Sequence, residues 1–145
     1  MRFNHVAIRV KDIGAMLDYY CQKIGFTEAF RIQNDDGSLR IVYLHIADGQ
    51  YLELCTNGAD RPIFDDQKSL GVRHICFEVE NIHETRLKLI SQGVSIDSEI
   101  LTMKDANLAM YLFDPEHNKI EIIQTSPDSP QFKFQEMIQR SKISH

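Results

Sequence analysis

The sequence predicts an α+β fold in which two tandem βαβββ modules build a curved, barrel-like mixed sheet. Three observations predict it. Apolar residues alternate with a period of two in a series of short segments bounded by turn residues, the signature of half-buried strands. Two of these segments are each followed by a stretch with the three- and four-residue apolar spacing of a helix. The whole order then occurs twice: a His-to-Glu separation of 48 residues in the first half (53 minus 5) is matched by 47 in the second (121 minus 74), which an internal duplication explains.

The first module spans about 3–57. Val6, Ile8 and Val10 share one strand face while His5, Ala7 and Arg9 share the other. Asp12 is placed to cap a helix with apolar positions Ile13, Met16, Leu17, Tyr20 and Ile24, and Gly25 to end it. Strand-like stretches follow at 27–32, 39–46 and 50–55, separated by Asn34-Asp35-Asp36-Gly37 and Asp48-Gly49 turns. A linker over 58–70, with Pro62 and the Asp65-Asp66 pair, has loop composition and is expected to border the site. The second module, about 71–125, repeats the pattern. A strand carries Ile75, Phe77 and Val79 opposite His74, Cys76 and Glu78, and Asn81 with Glu84 resembles a capping box for a helix that Gly93 stops. Strands are expected near 94–96, 107–113 and 119–124, with Asp114-Pro115 in the last turn. The two modules form one domain, 1–126. The tail, 127–145, holds a short surface helix in which Phe134, Met137 and Ile138 have helical spacing, suited to docking on a partner subunit.

With 145 residues and 43% hydrophobic content the chain can bury an ordinary domain core. Sixteen Lys and Arg against 21 Asp and Glu give a net charge of −5, so no basic surface is available for a phosphate backbone and nucleic acid is excluded as a partner. Neither a signal-peptide pattern nor an apolar run of roughly 18 residues is present, so the expectation is a cytoplasmic protein that does not span a membrane. Cys21, Cys55 and Cys76 form no C-x-x-C pair and are expected to be buried, reduced thiols.

His5, Glu53, His74 and Glu121 each occupy the strand face opposite the apolar residues. Two carboxylates turned inward require positive compensation, and a divalent cation supplies it directly. Two imidazoles and two carboxylates make a mixed nitrogen and oxygen donor set that suits nickel, cobalt, zinc, iron or manganese better than calcium. A lone inward His or Glu is more often a hydrogen-bonded core group; four of them duplicated in register form a candidate site. His45, His83, His117 and His145 lack that support and are assigned surface or structural roles. The chain contains no nucleophile-elbow motif, G-x-G-x-x-G or P-loop.

These motifs resemble the vicinal oxygen chelate superfamily, and glyoxalase I in particular. The resemblance rests on His5-Val6-Ala7-Ile8-Arg9-Val10 with Tyr19-Tyr20 and Ile24-Gly25-Phe26, on Gly71-Val72-Arg73-His74-Ile75-Cys76, and on Asp114-Pro115 through Ile120-Glu121. Arg73 and Glu116-His117 depart from the usual glyoxalase I residues. The resemblance implies one divalent metal per site, with nickel or cobalt favoured, held by His5, Glu53, His74 and Glu121. It implies isomerisation of a thiol adduct, the hemithioacetal of methylglyoxal and glutathione, with Glu121 as base and Glu53 returning the proton or remaining a ligand. Arg9 and Asn57 fall where glyoxalase I contacts glutathione. A homodimer with sites shared between subunits is also implied. Within the same superfamily, the alternatives are an acyl-coenzyme A epimerase, a thiol transferase acting on an epoxide antibiotic, a ring-cleaving dioxygenase and a non-catalytic small-molecule binder.

Overall fold

The computed structural model describes residues 1–60 and 70–143, so most of the expected linker, with Pro62 and Asp65-Asp66, lies outside the described residues, as does His145. The chain divides into two compact units. One is Met1–Leu70 with Asp114–His117; the other is Gly71–Phe113 with Asn118–His145.

In the first unit, β1 (His5–Arg9) leads into α1 (Ile13–Leu17), which continues as a π-helical stretch, Asp18–Ile24. Asp12 caps the start, its carboxylate accepting from Ala15 N at 3.0 Å. Gly25 ends the helical segment at φ 98°, a left-handed conformation that a Cβ would strain. The wider π winding, not anticipated from the sequence, keeps the consecutive side chains of Tyr19 and Tyr20 both buried. β2 (Thr27–Gln33), β3 (Leu39–Ala47) and β4 (Gln50–Cys55) complete a four-stranded sheet of order β1-β4-β3-β2. β1 and β4 run parallel and the other pairs antiparallel. Val42, Leu44, Leu52 and Leu54 are fully buried with Val10, Met16 and Tyr20, leaving Tyr43, Tyr51, Glu53 and Cys55 on the alternate face.

The second unit repeats this order. β5 (Ile75–Glu78), β8 (Lys119–Gln124), β7 (Leu108–Phe113) and β6 (Leu101–Thr102) are neighbours in that sequence, β5 and β8 again parallel. α2 (Ile82–Ser91) is capped by Asn81, whose side chain accepts from His83 N and Glu84 N. Ile82, Leu89, Met110, Leu112, Ile120 and Ile122 are buried in this unit. The two βαβββ modules predicted from the sequence are therefore observed, each with its own four-stranded mixed sheet.

Three expectations are corrected. The strand expected at 94–96 is reduced to a single bridge, Ile96 to Leu112, and its ladder position is taken by a side chain: Ser98 Oγ accepts from Tyr111 N at 2.8 Å. The paired strand here is instead the two-residue β6. The tail helix is not short, since α3 runs Pro130–Ile143, and Phe134 and Met137 are exposed on it. The cysteines are free but not buried: Cys21 and Cys55 are half-buried and Cys76 is exposed. For Cys55 and Cys76 the reason is strand parity, which puts them on the face opposite the packed aliphatic side chains.

Candidate metal and acid–base site

Each unit brings one predicted imidazole to one predicted carboxylate. In the first, Ala7 is the ladder partner of Glu53 and His5 lies two residues earlier on the same face, so its ring reaches across. His5 Nε2 lies 3.4 Å from Glu53 Oε2. In the second, Cys76 is the ladder partner of Glu121, and His74, again two residues earlier, places Nε2 3.0 Å from Glu121 Oε2. The two pairs share one register, one order and one pair of facing atoms. Among the described residues no group of three or more His, Cys, Asp or Glu side chains converges into a metal-holding cluster. The structure thus brings the four predicted residues together as two His–Glu pairs, each a candidate half-site, one in each unit.

The donor chemistry of each half-site fits a divalent ion. His5 Nδ1 lies 2.8 Å from Asn4 Oδ1, which makes Nδ1 the donor of that contact and leaves Nε2 turned towards Glu53. There Nε2 faces a carboxylate oxygen. Two electron-rich atoms at such a separation are favourable only with a cation or a proton between them. Glu53 is also the buried member of its pair, at 8% exposure, so its charge has little water to compensate it.

Around each carboxylate stand two further donors that sequence reasoning did not single out for this role. The Tyr111 hydroxyl donates to Glu121 Oε1 at 2.7 Å, and Tyr43 is the ladder partner of Glu53. The Cys55 thiol donates to Glu53 Oε1 at 3.1 Å, and Cys76 is the ladder partner of Glu121. Burial would raise the Glu53 carboxyl, yet the hydrogen bonds from Tyr43 and Cys55 and the adjacent His5 outweigh it and hold Glu53 below its usual range. Conversely, burial first and the Glu121 charge second push the Cys76 thiol up to about 12, and the bond to Glu121 pushes Tyr111 up to about 12. A signal for the tyrosines existed in the sequence: each stands ten residues before its glutamate (53 minus 43; 121 minus 111).

Arg9 is exposed and turned to the strand end, where its guanidinium donates to Thr56 O at 3.0 Å. Asn57 is exposed, at φ 64°, immediately beyond β4. Both therefore lie at the same end of the β1–β4 pair. There the chain folds back so closely that Gly58 N donates to Val10 O at 2.9 Å, and a Cβ on Gly58 would meet the Val10 carbonyl carbon at 2.7 Å. Of the remaining histidines, His45 packs edge-on to Tyr51 at 5.6 Å, His83 is exposed on α2 and His117 occupies a turn at φ 61°, in keeping with surface or structural roles.

The family model described as the Glyoxalase/Bleomycin resistance protein/Dioxygenase superfamily matches residues 2–122. Lactoylglutathione lyase of Schizosaccharomyces pombe is 28% identical over 97% of this chain and 55% of its own length. Mitochondrial methylmalonyl-CoA epimerase of Bos taurus is 27% identical over 68% of this chain and 58% of its own. The chain spans little more than half the length of either relative. Among solved structures, the glyoxalase family protein from Enterococcus faecalis superimposes with a TM-score of 0.72 at 25% identity, covering 84% of this chain and 96% of that one.

Proposed function

Because the chain belongs to the Glyoxalase/Bleomycin resistance protein/Dioxygenase superfamily, we propose that it is a metal-dependent lyase or isomerase of the lactoylglutathione lyase type. The observation that carries this reading is the His–Glu pair repeated in register, at 3.4 Å in one unit and 3.0 Å in the other. His5, Glu53, His74 and Glu121 would hold one divalent ion, nickel or cobalt in preference to zinc, iron or manganese. A bound ion supplies Lewis acidity to two neighbouring oxygens of a hemithioacetal, favouring the negative charge that develops when the carbon-bound proton leaves.

Glu121 takes that proton, and Glu53, its counterpart in the repeat, returns one to the neighbouring carbon or stays a ligand throughout. Arg9 offers a fixed positive charge to a substrate carboxylate, and Asn57, just beyond the same strand end, offers an amide to the rest of a glutathione moiety. Two half-sites in one chain are completed when a second copy supplies the complementary half, which makes the working form a homodimer. The working location proposed with this reading is the cytoplasm. No helix among the described residues is long and apolar enough to cross a membrane.

Protein purified without a histidine tag and reconstituted with nickel, cobalt or zinc is expected to isomerise the glutathione hemithioacetal of methylglyoxal, and Glu121→Gln to abolish turnover while the fold is retained. Stoichiometric metal with no turnover on that adduct would remove the substrate and keep the site. Failure to bind any of the three ions would remove the whole reading. The similarity to methylmalonyl-CoA epimerase favours a second reading, proton exchange beside a coenzyme A thioester, which uses the same stabilisation of an enolate. An epimerase assay on the same preparations separates the two.

A further inference from the structure

We propose that Tyr43 and Tyr111 are positioning residues that lock the carboxylates of Glu53 and Glu121 in one orientation, reserving Oε2 of each for a metal ion. The inference rests on the metal reading above. The terminal torsion of a glutamate is broad, so an untethered carboxylate can present either oxygen or both. Here the division of labour is fixed. In the second unit Tyr111 occupies Oε1 at 2.7 Å and Oε2 faces His74. In the first unit Tyr43 stands across the ladder from the carboxylate whose Oε1 takes the Cys55 thiol and whose Oε2 faces His5.

The arrangement is built twice from the same backbone relation. Tyr43 is the antiparallel ladder partner of Glu53, and Tyr111 that of Glu121, so each phenol lies directly across from the group it holds. The two cysteines are not equivalent under the repeat. Cys55 follows its glutamate by two residues on the same strand, whereas Cys76 lies on the strand across from Glu121. The tyrosines are therefore the common element. Each ring is also held by contacts that do not involve its hydroxyl. Tyr43 stacks on Phe30 at 4.5 Å and meets His5 edge-on at 5.8 Å, and Lys119 Nζ lies 4.6 Å over the Tyr111 ring. Replacing tyrosine by phenylalanine removes the tether and leaves the packing.

The test is a cobalt titration of Tyr43→Phe, Tyr111→Phe, His74→Ala and the parent protein, read by competition with a chromophoric chelator and by the visible spectrum of bound cobalt. Each phenylalanine variant is expected to raise the cobalt dissociation constant about 10- to 100-fold, the usual effect of losing a group that orients a ligand. The spectrum should shift, while circular dichroism and the melting temperature stay close to the parent's. Parent-like affinity and spectrum in both variants would overturn the positioning role alone, provided His74→Ala abolishes binding. A parent protein that takes up no cobalt would overturn this inference together with the metal reading.

Discussion

Two carboxyl side chains outside the His–Glu pairs show how much one residue can hold. The hydroxyl of fully buried Tyr20 donates to Asp114 Oδ2 at 2.9 Å, and Asp114 is itself only 3% exposed. Burial first, and the Asp114 charge second, push the phenol well above its ordinary range, so it stays a donor at every physiological pH. Tyr20→Phe leaves a buried carboxylate oxygen without this bond and is expected to cost about 1–3 kcal/mol, read as a lower urea midpoint. Glu116, one of the residues that departs from the glyoxalase I pattern, has a comparable task. Its Oε1 accepts from Lys11 N at 2.8 Å and Asp12 N at 2.7 Å, the backbone just ahead of α1. Glu116→Gln keeps an acceptor there and should retain most of the stability, whereas Glu116→Ala should lose roughly 1–3 kcal/mol in the same assay. The two His–Glu pairs were legible because His and Glu are uncommon on an otherwise regular strand face. Tyr43 and Tyr111 were harder to read, because a tyrosine in a strand is what β propensity already favours, and only their shared ten-residue lead on the glutamates marked them.

At the scale of elements, periodicity carried most of the information. β1 and most of β8 alternate cleanly, and Asp12 and Asn81 cap the helices expected of them. Asn81→Ala is expected to lower stability by about 0.5–2 kcal/mol by freeing the amides of His83 and Glu84, with the loss visible as earlier helix unfolding in hydrogen exchange. Signals of tertiary origin were not legible. The π winding of Asp18–Ile24 changes how the chain is wound without changing which residues are apolar. The segment near 94–96 reads as a strand, but Ser98 satisfies the neighbouring amide from the side and the ladder never propagates. Gly58 illustrates a third kind of constraint, a close approach of backbone to backbone. Gly58→Ala should push the 56–58 segment away from Val10, lowering stability by about 1–3 kcal/mol. If the proposed role of Arg9 and Asn57 holds, it should also raise KM more than it lowers kcat.

For the molecule as a whole, the duplicated donors make stability depend on pH at both ends. Glu53 is held below its ordinary value of 4.5, so its ionised form favours the fold: that contribution is present above the unfolded value and is lost as pH falls through the folded one. Cys76 and Tyr111 are raised from 9.0 and 10.0 to about 12; the unfolded chain gives up these protons first, so their contribution is full below the unfolded values and is lost as pH rises towards about 12. Metal-free protein should therefore show a broad stability plateau in urea titrations, with the alkaline limb displaced upward in Cys76→Ala. Asp114–His117 come from the second half of the sequence but belong to the first compact unit, where they supply the partner of Tyr20 and the acceptor for the α1 entrance. A gene cut in the linker would thus yield an N-terminal piece that lacks a clasp encoded on the other piece. Such halves should refold only when mixed, which makes the chain a natural candidate for a split reporter whose signal depends on reunion.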